Sequence, residues 1–253
     1  MAILEVKNVS QEFGGLRALD RVNIAIEKGE IFGLIGPNGA GKTTLFNLIT
    51  GIYRPTSGEV LFEGRSIGGI KPHRIAEAGI GRTFQNIRLF KKLSALDNVR
   101  VGMHSVSRAG FVSAMFHAPW ARKQERITVE KSMALLELVG LGDKAIELAG
   151  SLPYGEQRCL EIARAMALEP ALILLDEPAA GMNATEKEEL LRLIRKIQEM
   201  GVTVLLVEHD MNVVMNICHR IAVLDYGRKI AEGEPEQIKN DQRVIESYLG
   251  VEM

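Results

Sequence analysis

Ile31-Phe32-Gly33-Leu34-Ile35 runs without a break into Gly36-Pro37-Asn38-Gly39-Ala40-Gly41-Lys42-Thr43, and that junction decides the fold. Five apolar residues in a row read as a strand buried on both faces, as in a parallel sheet. The eight residues after them match the spacing GxxxxGK[ST]. Glycines at those positions let backbone N–H groups turn inward around phosphate oxygens with no side chain in the way. Lys42 brings a positive charge to the β- and γ-phosphates of a nucleotide, and the Thr43 hydroxyl can ligate Mg²⁺. The helix expected over 44–50, opened by Thr44, points its positive end at the anion. Gly36, Pro37, Asn38, Gly39, Ala40, Gly41, Lys42, Thr43 and Thr44 are thus the expected cradle for a nucleotide with Mg²⁺. A chance glycine turn with an incidental lysine has no reason to sit between a buried strand and a helix.

On the N-terminal side, Ile3-Leu4-Glu5-Val6-Lys7-Asn8-Val9 and Val22-Asn23-Ile24-Ala25-Ile26-Glu27 alternate apolar and polar positions. Bounded by Gly14-Gly15 and Lys28-Gly29, they predict short antiparallel strands. A further strand pair is expected around Gly58–Gly64. From 84 to 150 the pattern turns helical, with Leu135, Leu136, Leu138, Val139 and Leu141 at helix spacing. Beyond it, strands at 171–175, 202–207 and 221–224 alternate with helices at 185–200 and 211–218. That rhythm predicts an α/β fold with a mainly parallel sheet. To it are added an antiparallel β subdomain and an inserted α-helical subdomain. With no repeat and no long linker, we expect one domain over 1–253. Its core is about 1–84 and 169–253, and its helical subdomain about 85–168.

Two of the later strands end in polar residues that can do chemistry. Leu172-Ile173-Leu174-Leu175 leads to Asp176-Glu177. Beside a phosphate loop, Asp176 can hold Mg²⁺ directly or through water, and Glu177 can orient and polarise the attacking water. His209 follows the 202–207 strand. A lone histidine is more often an ordinary surface or core residue, but ligands bind at the carboxyl ends of parallel strands. There His209 can touch the γ-phosphate. His73, His104, His117 and His219 have no such context and read as structural.

Composition narrows the setting. The 253 residues are 46% hydrophobic, enough for one large core, and carry 31 basic and 32 acidic side chains. The densest basic cluster, Arg122, Lys123 and Arg126, is brief and shares its stretch with Glu125, so a nucleic-acid partner is not expected. Cys159 and Cys218 form no CxxC pair and read as small buried hydrophobes in a reducing cytosol. MAILEVKNVS is no signal peptide, and no apolar run is long enough to span a bilayer. Any work at a membrane is expected to pass through a partner.

The phosphate loop and the Asp-Glu strand leave kinases, GTPases and many ATPases open. Leu152-Pro153-Tyr154-Gly155-Glu156-Gln157-Arg158 discriminates, because it resembles the LSGGQ signature of ABC ATPases. The resemblance runs from about Ile3 to Gly233. It implies that Gly155 and Glu156 cover the nucleotide held by a second cassette. It also implies that Phe13 stacks on adenine, and that Gln85 in Arg82-Thr83-Phe84-Gln85-Asn86 contacts Mg²⁺ and faces a membrane subunit. Glu177 and His209 match that family's base and switch histidine.

Within the family, Phe13–Leu19, Arg82–Gln85, Tyr154-Gly155, residues 177–183 and a 103–124 insertion look like the LivG-like ATPases of branched-chain amino-acid importers. The implied partners are two transmembrane permeases, a second LivF-like ATPase or a second copy of the chain, and indirectly a substrate-binding protein. The implied place is the cytoplasmic face of the inner membrane. A lipid or lipopolysaccharide exporter subunit, or a soluble ABC ATPase acting on nucleic acid, is the alternative. Two departures stand out. Pro153 replaces the usual signature serine, and Asn183 replaces the usual aspartate after the Asp-Glu strand. The aromatic 103–124 segment, with Phe111, Met115, Phe116 and Trp120, is expected either to pack within the helical subdomain or to meet the membrane partner.

Overall fold

The computed structural model describes residues 1–103 and 119–249. Strands β1 (Ala2–Phe13) and β2 (Leu16–Glu27) form a hairpin closed by Gly14 and Gly15. They are twelve residues each rather than the short strands expected, because register shifts between Val6 and Val9 and around Gln11 absorb the twist while pairing continues. Strand β3 (Ile31–Ile35) follows, then helix α1 (Lys42–Ile49), β4 (Ser57–Phe62), β5 (Arg65–Ser66), α2 (Pro72–Glu77) and β6 (Ile80–Arg82). Helices α3 (Ala95–Met103), α4 (Pro119–Leu138) and α5 (Tyr154–Met166) make up the helical segment. Its 104–118 part, with Phe111, Met115 and Phe116, lies outside the described residues. The chain then alternates: β7 (Leu172–Asp176), α6 (Ala184–Glu199), β8 (Thr203–Val207), α7 (Met211–Ile217) and β9 (Arg220–Asp225). It finishes with β10 (Arg228–Gly233), α8 (Pro235–Lys239) and α9 (Gln242–Leu249).

Two sheets result. One is antiparallel, in the order β2-β1-β4-β5; the other runs β10-β9-β3-β8-β7-β6 and is parallel except for β10. The parallel strands are buried on both faces, and their period of two divides the core. Ile31, Ile35, Ile173, Leu175, Val204 and Leu206 face the helical side. Phe32, Leu34, Leu172, Leu174, Leu205 and Val207 face the β subdomain. Cys218 is buried as expected, with its Sγ 2.9 Å from where a Cβ on Gly33 would stand, whereas Cys159 is half-buried. His219 is structural too, its Nδ1 accepting the Ile31 N–H at 2.9 Å.

Register decides where chemistry can occur. Leu34 pairs with Val207, and Asp176 pairs with Val207 from the other side. The carboxyl ends of β3, β8 and β7 therefore lie level, which brings the loop after β3 and the acids after β7 to one edge of the sheet.

Candidate active site

The loop after β3 is built around its glycines. Gly41 is the N-cap of α1 and sits at φ 101°, and a Cβ there would lie 2.7 Å from Leu19 Cδ2 and 2.8 Å from the Ala18 carbonyl. Gly36 has φ 149°, with the Leu224 carbonyl 2.1 Å from the position of its missing Cβ. No side chain caps α1, so its first-turn amides are left to an anion. Lys42, at the first position of that helix, is buried and donates to the Gly36 carbonyl at 2.6 Å and the Pro37 carbonyl at 3.0 Å. Burial pushes its pKa down, opposed by the charges of Glu177 and Asp176. An uncapped helix start, with a desolvated ammonium held over the loop, fits a polyphosphate.

On the neighbouring strand end, Asp176 is buried and its N–H donates to Thr83 Oγ1 at 3.2 Å. Burial raises its carboxyl pKa, opposed by the Arg82 guanidinium 3.7 Å away and reinforced by Glu177. Glu177 has φ 46°, a left-handed conformation that strains a residue with a side chain. Its N–H is pinned to the Val207 carbonyl at 2.8 Å. Gln85 Nε2 donates to Glu177 Oε2 at 3.0 Å, and His209 Nδ1 stands 3.7 Å from that same oxygen. Two residues from separate segments thus converge on one carboxylate. Among the described residues no group of three or more His, Cys, Asp or Glu could hold a metal by itself. Mg²⁺ in phosphate sites is bound through one or two protein oxygens with phosphates and water, so Thr43 and Asp176 suit it.

Three residues of this edge escaped the sequence reading. Arg82 donates to Asn47 Oδ1 at 3.0 Å and Thr50 Oγ1 at 2.7 Å, tying α1 to the edge that carries Asp176. Thr83 accepts from Asp176, as above. Glu208 is fully buried and accepts the N–H groups of Ala179 at 2.8 Å and His209 at 3.2 Å, so one carboxylate fastens both strand-end loops. Burial pushes its pKa up. A carboxylate closing the apolar run 202–207 was the available signal.

Phe13 is exposed and meets Tyr53, just beyond α1, edge to face with ring centroids 5.1 Å apart. The sequence offered no hint of Tyr53.

The signature-like residues lie elsewhere. Pro153 is the N-cap of α5 and provides no side-chain cap. Gly155 packs on Glu186: a Cβ there would be 2.8 Å from Glu186 Oε1. Glu156 is clasped through both oxygens by Lys144 Nζ, at 2.6 and 2.7 Å. Pro153, Gly155 and Glu156 line a cavity of about 520 Å³ with Met182, Glu189 and Lys196. The outer face of the phosphate loop, Pro37 to Ala40, lines a different one of about 510 Å³ with Tyr226 and α9. Within one chain, then, Gly155 and Glu156 are not brought together with the phosphate loop. Asn183 caps α6: its side chain accepts the Glu186 N–H at 3.0 Å while Glu186 accepts the Asn183 N–H at 2.9 Å.

A phosphate loop on a central parallel strand, with paired acids two strands away and a helical insertion before them, is the architecture of an ATP-binding cassette. The family model described as "ABC transporter" matches residues 19–180, and the chain belongs to that family. A second model, described as "Branched-chain amino acid ATP-binding cassette transporter", matches residues 228–253.

Among curated relatives, the high-affinity branched-chain amino acid transport ATP-binding protein BraF of Pseudomonas aeruginosa is 47% identical over 98% of both chains. The corresponding protein LivG of Escherichia coli is 43% identical over 98% of both. Among solved structures, an ATP-binding cassette of an ABC transporter in its ADP conformation superposes with a TM-score of 0.87 at 34% identity, covering 99% of each chain. A dimeric cassette in a post-hydrolysis state, bound to ADP and Pi, has a TM-score of 0.77 at 28% identity over 92% of this chain and 98% of that one. The chain is an ABC ATPase. Among the described residues, no helix is long and apolar enough to cross a membrane.

Proposed function

We propose that this chain binds and hydrolyses ATP to drive an importer of branched-chain amino acids, working from the cytoplasmic face of the membrane on two permease subunits. The observation that carries the catalytic part is the convergence of Gln85 and His209 on Glu177, level with the phosphate loop. Identity over 98% of the BraF and LivG chains supports the cargo.

In this reading the loop amides and Lys42 hold the β- and γ-phosphates. Glu177 accepts a proton from the attacking water, and the strained backbone under it keeps the carboxylate aimed. His209 contacts the γ-phosphate and senses its loss. Thr43, Asp176 and Gln85 would hold Mg²⁺, which would neutralise phosphate charge. Phe13, buttressed by Tyr53, offers its face to adenine.

Gly155 and the uncapped start of α5 serve a second cassette's nucleotide, because they are apart from the phosphate loop of their own chain. Two cassettes close over ATP and open after hydrolysis, since ADP no longer joins their faces. The dimeric post-hydrolysis structure is a precedent in a relative. A second, LivF-like ATPase is the partner we favour, for Pro153 contributes no hydroxyl and Asn183 no charge to the facing site.

The test is to purify the tagged chain from its native membrane and identify its companions by mass spectrometry. Two permeases and a second ATPase are the expected result. A soluble complex with nucleic acid or ribosomal proteins would contradict it.

A further inference from the structure

Among the described residues the largest fully buried side chain is that of Arg158, and its ion-pair partner Glu161, 3.0 Å away, is buried with it. Such a pair loses the hydration of two charges, and well-packed apolar residues in its place are often as stable or more so. Stability therefore does not explain it.

Its other bonds do. Arg158 Nη1 donates to the Phe84 carbonyl at 2.6 Å, and Nη2 donates to the Gln85 carbonyl at 2.8 Å and to the Tyr154 hydroxyl at 3.0 Å. Glu161 Oε1 accepts the Arg88 N–H at 3.1 Å, and Arg164 donates to the Arg88 carbonyl. Residues 83–93 lie in neither helix nor strand. From 84 to 89 the backbone has no ladder to fix it, and side chains of α5 satisfy four of its polar groups instead. The segment so held presents the Gln85 amide to Glu177. The same helix begins with Tyr154 and Gly155.

We propose that Arg158, with Glu161, is a positioning residue for ATP hydrolysis: it fixes the backbone that sets Gln85 against Glu177. It also makes that segment move as one body with the N-terminus of α5. A displacement of Gln85 at the chain's own nucleotide is then carried to the residues that address the second cassette. The inference rests on reading Glu177 as the base.

The test replaces the pair by apolar residues, Arg158→Met with Glu161→Leu, in the full-length chain, with hydrolysis assayed in the complex with its second ATPase. Thermal midpoint, ATP affinity and steady-state hydrolysis are measured beside wild type and Glu177→Gln. We expect a midpoint equal to or above wild type and an ATP Kd within about twofold. We expect kcat to fall by about tenfold or more, because an ångström of misplacement near reacting groups is that costly. Wild-type kcat in a folded double variant overturns the inference alone. Wild-type kcat in Glu177→Gln overturns the base assignment and the inference with it. Should the double variant not fold, Arg158→Lys keeps the charge beside Glu161 but replaces the fork by a single ammonium. It is expected to lose about threefold to tenfold in kcat at unchanged ATP Kd, and unchanged kcat there overturns the inference equally.

Discussion

The phosphate-loop edge and the start of α5 serve the same chemistry, yet they are built differently. At the edge, groups at the ends of β6, β7 and β8 interlock: Asp176 with Arg82 and Thr83, Glu177 with Gln85, Glu208 with two backbone amides. The start of α5 is sparser, with Pro153 in place of a capping hydroxyl and Glu156 neutralised by Lys144. Its neighbour Asn183 is occupied in capping α6. A catalytic edge assembled inside one chain is preorganised by that chain. A half-site waiting for another molecule keeps its donors open and leaves precise geometry to the encounter.

That contrast can be broken at several points. Glu177→Gln removes the proton acceptor and should lower kcat by about 10²- to 10⁴-fold while retaining ATP; single-turnover hydrolysis reads this out. Lys42→Ala should instead act on affinity, by about 2–3 kcal/mol or roughly 30- to 150-fold in ATP Kd, as titration calorimetry would show. Pro153→Ser restores a hydroxyl at the start of α5. It should speed turnover at the facing site by about tenfold, the worth of one hydrogen bond to a charged group, with little change in the chain's own ATP affinity. Asn183→Ala removes a cap and should cost about 1 kcal/mol, visible in denaturant midpoints.

The smallest effect is in pH. Burial raises the carboxyl pKa values of Glu208 and Asp176 in the folded chain. Between their unfolded values near pH 4 and these raised ones, the folded state holds more protons. Stability should therefore fall as pH rises through that window. Glu208→Gln should make the fall shallower in a thermal series.

The parallel sheet and its phosphate loop were legible because unbroken apolar runs next to a fixed glycine spacing have few other physical meanings. Asp176, Glu177 and His209 were legible for a related reason, since each closes such a run. Phe13, Gln85, Gly155 and Glu156 came through resemblance alone. Arg82, Thr83 and Glu208 act through contacts between segments far apart in sequence, as with the 93 residues separating Thr83 from Asp176. Arg158 entered only as the last residue of the signature-like stretch. Nothing in local spacing says that a helical arginine faces inward to hold another segment's carbonyls. The full length of β1 and β2 was hidden too, since bulges break the alternation from which strand length is read.

The most direct test of the built-in versus borrowed contrast uses the reconstituted complex with its second ATPase. ATP hydrolysis is compared with Glu177→Gln in this chain and with the equivalent substitution in the partner. The first is expected to abolish most turnover and the second to remove a minor share, because the partner's phosphate loop faces the start of α5, where Pro153 offers no capping hydroxyl. Equal losses from the two substitutions would contradict it.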